Sequence, residues 1–181
     1  MAKDGFTAKV HDALSDTMNL PPEFLSFLPQ FIAQNPVSTL DHGTGYEVGY
    51  DQITSPVNIT GTTEASPTTV IAGSEHAFDG SPVIAEFFSP SVLPPTVASQ
   101  ALIIMLFEGS TEIGRWGDIR SPSASLNAIP VTLRYRFTPS AGNHTYSIEA
   151  FVSSVTGTPA IQAGAGGSAA YLPAYLRFTK V

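Results

Sequence analysis

From Pro130 to Ser154 the chain alternates between apolar and polar positions. Val131, Leu133, Tyr135 and Phe137 fall on one side, with Thr132, Arg134 and Arg136 on the other. After a polar turn, Tyr146, Ile148, Ala150 and Val152 alternate with Thr145, Ser147 and Glu149. Period-2 alternation marks a half-buried strand, and two such runs across a short turn predict an antiparallel hairpin with one wet face. Thr138 to Asn143 makes the connection, with Pro139, Gly142 and Asn143 supplying its backbone geometry. On this reading Arg134, Arg136 and Glu149 share the outward face as the densest charge cluster of the region.

The same pattern, more often interrupted, runs back through the chain. Strands are expected at Glu47 to Ile53, Val57 to Thr60, Thr68 to Ala72, Glu75 to Phe78 and Val83 to Phe88, separated by Gly, Ser and Pro punctuation. Ala101 to Glu108 opens with ALIIMLF, a short unbroken apolar run that suits a strand buried on both faces. Thr111 to Gly117 should pair with it across Gly109 and Ser110, and Asp118 to Ile129 reads as a loop. A Gly-rich segment, Gly157 to Ala170, precedes a last strand from Tyr171 to Val181. Nine or ten short strands with long crossings predict an all-β fold, an antiparallel β-sandwich of jelly-roll type. No fixed-period repeat argues for a propeller or solenoid.

Residues 1–40 follow a different period. Phe6, Val10, Ala13 and Leu14 make one helical stripe behind a possible N-cap at Asp4. Glu23 to Gln34 carries Phe24, Phe27, Leu28, Phe31 and Ile32, with Pro29 bending or splitting the helix. So apolar a segment, a dozen residues long, cannot bury its stripe on itself. It is expected either to cap the β-domain or to dock onto another protein or further copies of the chain. The division predicted is therefore a helical anchor over 1–40 and a β-sandwich domain over 41–181.

Composition narrows the chemistry. Charged residues are 13% of the sequence and the formal net charge is −7, which argues against nucleic-acid binding, since phosphate neutralisation needs a basic patch. The absence of cysteine excludes disulfides and thiolate chemistry. Acidic residues near the N-terminus interrupt any signal-peptide core, and no apolar run spans a bilayer, so synthesis in a cytoplasm without membrane insertion is expected.

Candidate chemical groups are few. His11, His42, His76 and His144 show no metal-ligand spacing, although His42 adjoins Asp41 and His76 precedes Asp79 by three residues. No GxSxG elbow is present. Glu86, Glu108, Glu112 and Glu149 are carboxylates from which a glycosidase pair would have to come, with nothing to single out two of them. AGAGGSAA, from Ala163 to Ala170, lacks the Lys and hydroxyl of a phosphate loop and reads as a place where backbone approaches backbone. Trp116 with Arg115 and Arg120 is the candidate platform for a glycan. No catalytic, cofactor or metal residue is assigned, and an enzyme is not expected.

Several stretches, GYEVGYDQITSPVNIT, PVIAEFFSP, MLFEGSTEIGRWG, YRFTPSAGNHTYSIEAFV and AAYLPAYLRFTKV, together resemble a recurrent module in structural proteins of tailed phages infecting actinobacteria. The likeness covers about Gly45 to Val181 and leaves residues 1–40 outside it. It implies a virion protein of minor tail, tail-fibre or capsid-decoration type, without enzyme activity or cofactor. It also implies a homotrimeric β-head, which the apolar residues 1–40, outside the likeness, would hold to other virion proteins and which would contact host surface glycans. The other function open at this point is a carbohydrate-binding module for host envelope glycans.

Overall fold

The computed structural model describes residues 45–122 and 128–181. The chain divides at His42/Gly43, and all described residues belong to the second unit, Gly43–Val181. The helical stripes expected over 1–40, with Phe6, Val10, Leu14, Phe24, Phe27, Leu28, Phe31 and Ile32, lie outside the described residues, as do His11 and His42.

The described residues form eleven strands: β1 Glu47–Ile53, β2 Val57–Asn58, β3 Thr68–Ile71, β4 Glu75–Asp79, β5 Val83–Leu93, β6 Ala101–Glu108, β7 Thr111–Arg120, β8 Ile129–Phe137, β9 Ala141–Val152, β10 Ala160–Gln162 and β11 Ala174–Lys180. They make two antiparallel sheets, a β-sandwich. In the first, β5 is the spine. One of its edges pairs with β11 and then with β10, the other pairs with β8, and β1 and β2 extend the sheet beyond β11 and β10. In the second, β9 pairs with β6 on one edge and with β3 and β4 in succession on the other, and β7 lies outside β6.

The inner faces make the core. Ala85, Phe87, Val92, Leu176 and Phe178 from the first sheet meet Leu102, Ile104, Leu106, Tyr146, Ile148 and Val152 from the second. Strand alternation delivers them: burial on β9 switches on at every second residue from Tyr146. Phe178 sits at the centre of an aromatic cluster, 4.9 Å from Tyr146 and 5.5 Å from Phe78, ring to ring. The apolar run in β6 is buried on both faces, as its continuity predicts. Ala101, Ile103, Met105 and Phe151 form a second, smaller cluster on the far side of that sheet.

The main departure from the sequence reading is the hairpin over 130–154. Both strands are there, but they do not pair with each other: β8 pairs with β5 in one sheet, and β9 with β6 in the other. Thr138 to Ser140 is a crossing between sheets, three residues rather than six. Arg134 and Glu149 therefore belong to different sheets and do not form one cluster. Strand β5 is also longer than its Ser-Pro sequence suggests. A bulge between Ser89 and Val92 takes up Pro90, and the Ser89 hydroxyl donates to the carbonyls of Ser91 and Gln162 where β5 changes partner from β11 to β10.

Strands β3 and β4 act as one edge strand broken in the middle. They pair along the same edge of β9, at Ile148 to Ala150 and at Ala141 to Thr145, and Gly73 lies at the break. A Cβ on Gly73 would come within 1.6 Å of the Tyr146 carbonyl oxygen. At Gly164 a Cβ would come within 2.5 Å of the Tyr171 carbonyl oxygen, so this part of the Gly-rich segment is where backbone meets backbone, as expected.

Candidate functional site

Three polar clusters link strands. Asp51 on β1 and His76 on β4 join the two sheets: His76 Nε2 lies 2.7 Å from Asp51 Oδ2, and the Ser74 amide donates to Oδ1 at 2.9 Å. Gly49 leaves the space for this imidazole, since a Cβ there would meet the ring at 2.6 Å. Burial pushes the Asp51 carboxyl up, and the hydrogen bonds from His76 and Ser74 more than offset that, holding it below the usual carboxylate range. A depressed folded-state value stabilises the fold above the unfolded-state value of about 3.8, and that contribution is lost as pH falls through the folded-state value. Asp51→Asn is therefore expected to cost about 1–3 kcal/mol near neutral pH and to reduce the loss of stability on acidification. Urea titrations of both proteins between pH 3 and 7 check this, and parallel pH profiles would refute it.

Directly across from His76 in register stands His144 on β9, whose Nδ1 lies 2.6 Å from Glu108 Oε1 on β6. Burial, with the Glu108 carboxylate nearby, raises the Tyr146 hydroxyl well above its ordinary value. On the outer face of the first sheet, Glu86 accepts from the Tyr175 hydroxyl at 2.9 Å and from Arg177 at 2.7 Å, with Arg134 Nε at 3.1 Å. Tyr50 and Phe88 each stand 5.4 Å, centroid to centroid, from Tyr175, and Tyr50 is exposed.

The four carboxylates considered for glycoside hydrolysis do not form one group, and two of them, Glu112 and Glu149, meet at one hollow. Glu86 is on the first sheet and Glu108 is engaged by His144, while Glu112 and Glu149 border a shallow hollow of about 590 Å³ together with Glu64. His76 is held by Asp51, and Asp79 pairs with Lys180 instead. Among the described residues no group of three His, Asp or Glu side chains is arranged to hold a metal.

Trp116 and Arg115 border one cavity, and Arg120 is not among the residues that line it. Two bulges in β7 set this arrangement: opposite β6, Gly117 and Arg115 face consecutive residues, as do Gly114 and Glu112, which leaves Trp116 and Ile113 as the extra residues. The bulges turn Trp116 and Ile113 inward against the core. Arg115 instead faces outward over the Phe151 ring at 5.7 Å and holds Glu64 in a two-pronged pair at 2.8 and 2.6 Å. Arg120 pairs with Asp118.

What the bulges build is a cavity of about 160 Å³ with a mixed polar and apolar lining, bordered by Leu106, Ile113, Gly114, Arg115, Trp116 and, from β8, Tyr135. Its wall contains the Trp116 indole N–H, buried without an acceptor among the described residues. Alternation alone places Trp116 on the face opposite Ile113, so this cavity has no signature in the sequence.

No family model matches the chain, and no curated protein does. Among solved structures, a carbohydrate-binding module from Cellvibrio mixtus lichenase 5A, in complex with cellotriose, is similar with a TM-score of 0.30 and 16% identity, over 75% of this chain and 99% of that chain.

Proposed function

We propose that this protein is a non-enzymatic structural component of a phage particle: a jelly-roll-like β-head, presented as a homotrimer and held to other virion proteins through residues 1–40. The observation that carries the reading is the use made of the polar side chains. Asp51, Glu86 and Glu108 each terminate on a side chain of another strand. They serve the scaffold and leave the surface for contacts. The phage-module resemblance over Gly45 to Val181 and the apolar density of residues 1–40 support the same assignment. On the tail or the capsid, several copies would gain avidity for a repeated host surface, glycans included.

Deleting residues 1–40 is expected to leave a folded β-domain that no longer enters particles, as read by immunoblot of purified virions and circular dichroism of the truncated protein. A truncated chain that still enters particles would remove the anchor from the proposal. Absence of the full-length protein from purified particles by mass spectrometry would remove the virion role itself.

A further inference from the structure

We infer that the free edge of β8 is a docking site for an extended, acidic segment of a partner polypeptide, added as a further strand to the first sheet. β8 pairs with β5 along one edge, and on the other no ladder or backbone hydrogen bond reaches a described residue. Along that edge every second residue of β8 turns its N–H and C=O away from β5, and such a row is a template for another strand unless something blunts it. The other edges are blunted: β7 carries two bulges, β1 is bulged between Glu47 and Gly49, and the β3–β4 edge is broken at Gly73. β8 carries no bulge, because the one register shift in its ladder falls in β5, and its proline, Pro130, stands at the second position, so the template runs from Val131 to Phe137.

The two faces of the edge specify the occupant. Arg134 and Arg136 point outward along β8, and Arg136 has no acidic partner among the described residues. On the inner side Tyr135, 45% exposed, forms the lip of the cavity with Trp116 and Ile113. Alternate side chains of an added strand would lie beside the arginines, and those between them would face the cavity. Acidic residues alternating with apolar ones satisfy both sides. A second copy of β8 supplies no carboxylate to the arginines in any register, since Ile129–Phe137 contains no acidic residue.

The test uses the full chain and two peptides with the same apolar positions, one carrying Glu and the other Lys at the alternate positions. The only tryptophan is Trp116, so its emission reports the cavity directly, and amide exchange locates the contact. The Glu peptide is expected to shift the emission and slow exchange along β8, with the Lys peptide binding on the order of tenfold more weakly. Arg136→Glu, an exposed change that leaves the Glu86 pair intact, should reverse that preference. Equal binding of both peptides, protection at β1 or β7 instead, or concentration-dependent protection of β8 in the protein alone would each overturn the inference.

Discussion

Phe178→Ala is expected to lower the stability of the β-domain by about 3–5 kcal/mol, the range for emptying a fully buried phenylalanine site. The ring is wholly buried and touches aromatic neighbours from three other strands: Phe78 on β4, Phe137 on β8 and Tyr146 on β9. It therefore ties both sheets at one point, and few neighbours can move into the space without leaving their own contacts. For a domain of this size the loss corresponds to a drop in Tm on the order of 10 °C. Phe178→Leu, which keeps most of the volume, should recover more than half of it. Urea titration at neutral pH decides the matter, and a cost below about 1 kcal/mol would show that the cluster is not the centre of the core.

Gly73→Ala should be of comparable severity for a different reason. No cavity is made; a methyl group is driven into the Tyr146 carbonyl oxygen, a backbone atom that cannot turn aside. Relief requires β3 or β4 to leave β9, so a loss of about 3 kcal/mol or more is expected, with amide protection lost along that edge first. Gly109→Ala provides the contrast. That glycine has a φ of +57° and nothing near its Cβ position, so only the left-handed backbone penalty of about 1 kcal/mol applies. Near-equal effects of the two substitutions would refute the steric account.

The legible parts of the fold were those written in local alternation. β1 and β6 start and stop where their patterns do, β11 falls within its predicted span, and the β6–β7 hairpin turns at Gly109 and Ser110 as expected. The charge-bearing residues were equally visible, but their partnerships were not. Asp51 and His76 lie 25 residues apart, His144 and Glu108 36 apart. Only packing of one strand against another brings them together, and no spacing rule reaches across a sandwich. The cavity beside β8 was hidden for another reason. Each bulge in β7 inverts the face of the residues beyond it, so Trp116 and Arg115 do not lie where a regular strand would put them.

The chain from Pro130 to Ser154 shows where the division falls. By itself the sequence determined that two strands exist there, which side chains of each go inward, and that the protein is built of β-structure poor in charge. Alternation does this because side chains on a strand have only two faces to choose from, and water selects between them. The tertiary structure alone decided that the two strands join opposite sheets, that β8 pairs on one edge only among the described residues, and that Tyr135 borders a cavity on the inner side. Strand partnership depends on which inner faces meet across the core and on where the ladder slips by one residue, and both are set by contacts between segments far apart in the chain.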